Sequence, residues 1–150
     1  MLGTIQAEDF DTGGEGLTFH DTTAGNRGGV YRQTNVDLET TVDSGGGYDV
    51  AWIAPGEWLA YSVDVRQSGS YVLEARVASN GTGGAFHVEV RGVNVTGSLA
   101  VPNTGGWQTW TTLRRTVTLP SGAQLLRIVF DSAGASGAVA NVNYVRVAVP

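Results

Sequence analysis

The chain of 150 residues contains no cysteine. Disulfides, thiol nucleophiles and thiolate-held metals are therefore excluded, while the redox compartment stays open. Lysine is missing too: all nine basic residues are arginines, set against 14 acidic ones for a formal net charge of −5. A weakly charged acidic chain without a basic patch is a poor partner for nucleic acid, anionic membranes or acidic polysaccharides; neutral glycans stay open. No apolar run approaches the ~20 residues of a membrane-spanning helix. No segment of useful length carries apolar residues at helical spacing.

What is present is glycine, 22 of them against only four prolines. Turn clusters recur at short intervals between alternating segments, the pattern of an all-β sandwich. Leu59, Tyr61, Val63 and Val65 point one way from a strand spanning 57–65, and Trp58, Ala60, Ser62 and Asp64 the other. Segment 70–78 repeats this with Tyr71, Leu73, Ala75 and Val77 inward, and 85–90 with Phe86, Val88 and Val90 inward and His87 and Glu89 outward. Residues 4–10 alternate as well, placing Ile5 and Ala7 on one face and Gln6 and Glu8 on the other. Further strands are expected at 31–41, around Val50 and Trp52, and at 108–119, 124–130 and 141–149, with a hairpin-like turn at 80–84. Roughly nine or ten strands fit a jelly-roll β-sandwich of two antiparallel sheets. Segment 11–29 is a long, turn-rich excursion, of the kind that is usually functional or pinned by an ion. Met1-Leu2-Gly3 reads as an expression start, with any targeting segment cut away.

Two aromatics stand out. Trp107 follows Gly105-Gly106, and Trp52 follows the run Gly45-Gly46-Gly47. Glycine lets the backbone turn sharply enough to present an indole clear of the sheet, where it suits the apolar face of a sugar ring. Trp58, on the polar face of its strand, is a third exposed candidate.

These features resemble one family, the carbohydrate-binding modules of family 6. The resemblance is carried by IQAEDF, ETTVDSGGGYDVAWIAPGEWLAYSVDV, TGGWQTWTT and ANVNYVRV, and it covers nearly the whole chain, with residues 4–150 as one module. It implies a jelly-roll sandwich with structural calcium, appended to a secreted, mostly bacterial polysaccharide hydrolase. The loop-end sugar site that it implies comprises Glu39, Trp52, Trp107 and Asn141. A second site found in some members, on a sheet face, corresponds to Trp58 and Glu89. The implied calcium ligands are Gln6, Glu8 and Asn143, with backbone carbonyl oxygen near the glycine turn at Tyr48. Calcium takes ~6–8 oxygens, amide and backbone carbonyls included, so few carboxylates suffice. The excursion from Asp11 to Tyr31 resembles insertions in modules of β-1,3-glucanases and agarases. It is expected to wall off one end of the cleft, favouring a chain end over a chain middle.

Three functions compete at this stage. A monomeric, extracellular, non-catalytic glycan-binding module that serves a parent catalytic domain accounts for the tryptophans. Its expected ligand is β-1,3-glucan bound at the non-reducing end, with agarose, xylan and cellulose as alternatives. A small glycoside hydrolase needs two carboxyl groups ~5–9.5 Å apart across a cleft, and no acidic pair here has that context. A purely structural or adhesive sandwich leaves the exposed aromatics unexplained.

Overall fold

The computed structural model describes residues 3–150; Met1 and Leu2, the first two residues of the expected expression start, lie outside the described residues. The strands are β1 (Gly3–Gln6), β2 (Phe19–His20), β3 (Leu38–Thr40), β4 (Tyr48–Val50), β5 (Trp58–Val65) and β6 (Gly69–Ser79), followed by β7 (Ala85–Val90), β8 (Val93–Asn94), β9 (Leu99–Ala100), β10 (Gly106–Leu119), β11 (Gly122–Ser132) and β12 (Asn141–Ala148). They form two six-stranded sheets: β10-β6-β12-β4-β3 with β1 also on β12, and β2-β5-β11-β7-β8 with β9 also on β7. Neighbouring strands pair antiparallel throughout. This is the expected two-sheet sandwich, with more strands than anticipated because β2, β8 and β9 are only two residues long.

The inner faces meet in one apolar cluster. Leu73, Ala75 and Val77 of β6 face Phe86 and Val88 of β7 and Leu126, Ile128 and Phe130 of β11, all nearly inaccessible. The rings of Phe86 and Phe130 lie 6.1 Å apart. Truncating either to alanine would cost about 3–5 kcal/mol through lost burial and the cavity left behind.

Five expectations are corrected. The alternation of 4–10 ends at Gln6, and Ala7–Asp9 form a 3₁₀ turn in which Ala7 and Glu8 are both buried. Side chains replace the sheet ladder there: Tyr61 Oη donates to the Ala7 carbonyl at 2.7 Å, and Arg32 donates to the Glu8 carbonyl at 3.0 Å. Gln6 and Glu8 therefore do not share a face. Segment 80–84 is no hairpin, because β6 and β7 belong to different sheets. Its glycines permit the crossover: a Cβ on Gly84 would come within 1.6 Å of the Ser132 carbonyl oxygen. Only Leu38–Thr40 of the expected 31–41 strand is β, since Tyr31 sits at φ 70° and the Asn26 side chain takes the backbone bonds of Val30, Arg32 and Leu38. Ala60, expected on the open face, is sealed, with the excursion bonding its backbone on both sides: Ala60 N–H donates to Thr18 O and Asp11 N–H donates to the Ala60 carbonyl, each at 2.9 Å. Finally, β4 stops at Val50 and Trp52 lies beyond it.

Candidate functional site

Trp107 is not on a free loop but on β10, where the pairing with β6 slips: Gly106 opposes Ser79 while Trp110 opposes Ala78. Such a bulge re-aims the side chains within it. The turn ahead is pinned. Thr104 Oγ1 accepts from Ser79 N–H at 2.8 Å, and Asn103 Oδ1 accepts from Gly81 N–H at 3.0 Å and Gly105 N–H at 2.9 Å. Trp52 is held at φ 49°, a left-handed conformation that costs a non-glycine residue roughly 1–3 kcal/mol and clusters at functional sites. Its neighbours enforce it, Ala51 N–H donating to Asp37 O at 3.0 Å and Val139 N–H to Ile53 O at 2.9 Å. Forty per cent of Trp52 remains exposed.

Both indoles line one cavity of about 260 Å³, together with Glu39, Ala51 and Asn141. Its third wall is Ser136, Gly137 and Ala138. That loop closes on itself through Gly137 N–H to Gly134 O at 3.0 Å and Ser136 Oγ to Ala138 O at 3.1 Å. All four residues expected at the loop-end site thus meet around one cavity. The wall expected from the Asp11–Tyr31 excursion is absent: no residue of that segment lines the cavity, and Ser136–Ala138 take its place. The excursion reaches the site only at its rim, with the Arg27 guanidinium 5.7 Å from the centre of the Trp52 ring.

A side-chain network sets the polar floor. Gln108 Nε2 donates to Glu39 Oε1 at 2.8 Å and to Asp49 Oδ1 at 3.0 Å, and Gln108 Oε1 accepts from Val42 N–H at 2.9 Å. Asn141 Nδ2 donates to Glu39 Oε1 at 3.0 Å and to the Trp107 carbonyl at 2.8 Å. Both amide hydrogens of each residue are therefore engaged. Among the described residues, Asn141 Oδ1 and Glu39 Oε2 accept from no N–H or hydroxyl group and, unlike Asp49 Oδ2, are not sealed in the interior. The floor offers acceptors, a match for sugar hydroxyls acting as donors. Asn141 thus presents an acceptor only, where its amide type allowed for a donor as well.

Asp49 and Gln108 escaped sequence reasoning. Asp49 lies directly opposite Glu39 in the β3–β4 register and is fully buried. Burial, with the Glu39 charge adding to it, pushes the Asp49 carboxyl up to about 8. A carboxyl sealed beneath its partner cannot flank a glycosidic bond, so the pair does not form a hydrolase site.

On the outer face of β5-β11-β7, Trp58 opposes Val129, which opposes His87, and one row along Arg127 opposes Glu89. Trp58 and Glu89 do share this face, but neither is free. The Arg127 guanidinium lies 4.0 Å from the Trp58 ring centre. Glu89 pairs with His87 Nε2 at 3.0 Å, and His87 Nδ1 pairs with Asp131 at 2.7 Å. Burial alone would lower the His87 pKa, but these two carboxylates hold it above its ordinary value.

Around the 3₁₀ turn, Glu8 Oε2 and Asn143 Oδ1 are buried oxygens with no hydrogen-bond donor among the described residues. The β1–β12 register ends with Gln6 opposite Tyr144, which carries the turn past Asn143. Glu8 Oε1 accepts from Tyr48 N–H at 3.4 Å, and burial raises the Glu8 pKa. Asn143 Nδ2 donates to Asp43 Oδ2 at 2.9 Å, and a bidentate Arg76 contact holds the Asp43 pKa low. Orphaned buried oxygens on a carboxylate and an amide are what a calcium ion would satisfy. Gln6 is exposed at the end of β1. No group of three or more His, Cys, Asp or Glu residues suited to a metal occurs among the described residues, so any such site relies on amide and backbone oxygen.

Comparison with known proteins agrees with this geometry. The sequence profile of the Carbohydrate binding module (family 6) matches residues 29–148. The clotting factor G alpha subunit of Tachypleus tridentatus is 40% identical over 119 residues, covering 78% of this chain and 17% of that protein. Overall, the chain spans 11–18% of the length of the curated relatives it matches. Among solved structures, the module from Cellvibrio mixtus lichenase 5A in complex with cellotriose superposes with a TM-score of 0.72 at 37% identity, covering 100% of this chain and 99% of that one. A β-1,3-glucan-binding module from Bacillus halodurans gives 0.71 at 29% identity, covering 97% and 94%. The chain belongs to carbohydrate-binding module family 6, whose members bind sugars without catalysing their cleavage.

Proposed function

We propose that residues 4–150 form one extracellular, monomeric module that tethers a parent glycoside hydrolase to a neutral polysaccharide. Its ligand is β-1,3-glucan, bound at the non-reducing end in the Trp52–Trp107 cavity with Glu39 and Asn141 accepting from hydroxyls. The observation that carries this is the meeting of two indoles and two unengaged acceptors in one small cavity. At about 260 Å³ it falls just below the roughly 300–1,000 Å³ of typical ligand pockets, a size for a terminal unit and not a long chain. An acidic side chain, Glu39, in the lining is a poor neighbour for anionic sugars. The likeness to the Bacillus halodurans module supports the β-1,3 linkage. A β-1,4-glucan is the second candidate, because the Cellvibrio mixtus relative was solved with cellotriose.

A calcium ion would be held by Glu8 and Asn143 with backbone oxygen near Tyr48; Gln6, exposed and off the Glu8 face, is left out of the set. When bound, the ion supplies the positive charge that the buried Glu8 carboxylate otherwise lacks. Glu8 and Asn143 would thereby be tied together, bracing the 3₁₀ turn against β12 away from the sugar cavity, which neither residue lines.

One experiment tests both parts: calorimetry against β-1,3-gluco-, cello-, xylo- and agaro-oligosaccharides of one to six units, with and without chelator. Affinity should be micromolar to millimolar, as one stacked ring and a few hydrogen bonds allow. It should level off after about two or three units, since later ones lie in solvent. A steady rise to six units overturns the chain-end site, and preference for another series overturns the linkage. Chelation should lower the melting temperature, with recovery on adding calcium, because an ion that binds only the folded state stabilises it. An unchanged melting curve overturns the ion.

A further inference from the structure

We infer that Arg27 is a specificity-determining residue of the loop-end site, donating hydrogen bonds to the second sugar of a bound neutral glycan. This assignment rests on the loop-end glycan site proposed above. The floor of the cavity has a chemical deficit: its acceptors, Glu39 Oε2 and Asn141 Oδ1, are available, whereas the amide hydrogens of Asn141 and Gln108 are all engaged within the protein. Sugars carry acceptors as well as donors, in their ring, glycosidic and hydroxyl oxygens. An arginine brings five N–H donors in a rigid fork.

Arg27 is placed to supply them. Its side chain is exposed, and among the described residues it makes no salt bridge and no hydrogen bond. Its backbone, by contrast, is fixed. Arg27 N–H donates to the buried Asp37 carboxylate at 2.7 Å. Asn26 before it bonds Val30 O at 2.8 Å, Arg32 O at 3.0 Å and Leu38 N–H at 2.9 Å. Gly28 after it lies so close to the strand of Glu39 that a Cβ there would come within 1.7 Å of the Leu38 carbonyl oxygen. With the backbone clamped, only the side chain has to be ordered when it meets a ligand.

Position completes the argument. The guanidinium lies 5.7 Å from the Trp52 ring centre, within cation–π range, yet Arg27 does not line the cavity that Trp52 lines. It therefore stands at the rim. A cavity of about 260 Å³ takes the terminal unit, and a second unit leaving past the exposed Trp52 meets Arg27.

The test is titration of wild type, Arg27→Ala and Arg27→Lys with the one-, two- and three-unit members of whichever neutral series the wild type binds, followed by tryptophan fluorescence and calorimetry. Arg27→Ala should leave the monosaccharide affinity within about twofold and weaken the disaccharide and trisaccharide about tenfold, the size of one charge-assisted hydrogen bond. Arg27→Lys should recover part of that loss, keeping the charge but not the fork. Equal weakening at every length means that Arg27 only braces Trp52 and overturns the inference, as does no weakening at all. Wild-type binding that survives Trp107→Ala, or no wild-type binding to any series, overturns the loop-end site itself and this assignment with it.

Discussion

Two tryptophan surfaces of this sandwich differ in what surrounds the ring. At the loop end, Trp52 and Trp107 line a cavity whose carboxylate and amide oxygens still lack partners. On the outer sheet face, Trp58 is covered by Arg127, and Glu89 is paired with His87. An accessible indole makes a sugar site only when unengaged hydrogen-bonding groups stand beside it. Both rings carry a nearby guanidinium, Arg27 at 5.7 Å from Trp52 and Arg127 at 4.0 Å from Trp58, but only the Trp52 cavity also offers open acceptors. Replacing the Arg127 contact or the His87–Glu89 pair with a ligand would first require breaking an interaction the protein already has.

The comparison breaks most directly by exchanging the two rings for alanine. Trp107→Ala should weaken binding of a short neutral oligosaccharide by about 100-fold or more, the cost of a central aromatic anchor. Trp58→Ala should leave it within about twofold. Calorimetry on both, with circular dichroism to verify the fold, decides: a larger loss from Trp58→Ala would make the sheet face the principal site.

A smaller effect is expected from uncovering Trp58. Arg127→Ala should increase acrylamide quenching of tryptophan fluorescence and lower stability by about 0.5–1 kcal/mol, the worth of a cation–π contact at an exposed site. If sugar affinity also rises through a Trp58-dependent term, the sheet face is a site that Arg127 blocks. If quenching is unchanged, Arg127 does not cover the ring in solution.

The smallest effect concerns pH. His87 is held above its ordinary pKa by Asp131 and Glu89, against the opposing pull of burial. Its folded value exceeds its unfolded one, so its stabilising contribution is complete below about 6.5 and is lost as pH rises through the folded value. Melting temperature should therefore decline slightly above neutral pH, and His87→Asn should flatten that decline. An identical pH profile in the variant would show that the two carboxylates do not hold the imidazolium.

Much of the fold was legible because alternation is a local signal. The inward residues of β6 and β7 are buried as the two-residue period predicts. The period failed where backbone groups bond to distant side chains, as at Ala7 and Glu8, whose carbonyls are taken by Tyr61 and Arg32. At the site, Glu39, Trp52, Trp107 and Asn141 were legible as a family pattern, and they surround one cavity. Gln108 and Asp49 were not legible. The hydrogen bond that matters joins Gln108 to Glu39 across 69 positions of sequence, and Asp49 looks like any acidic residue until register sets it beneath Glu39.

By itself, then, the sequence determined the class of structure and the chemistry on offer. Alternating aliphatic residues between glycine turns specify a two-sheet sandwich, the lack of cysteine and lysine removes several partner classes, and tryptophan with Asn and Glu suits neutral sugars. Tertiary structure decided which of these groups are available. Trp58 and Trp52 are the same side chain in the sequence, but pairing of β11 with β5 brings Arg127 onto one ring, while the left-handed backbone at Trp52 and the Ser136–Ala138 loop leave the other facing a cavity. Availability depends on which distant groups arrive in contact, and only the packed chain brings them there.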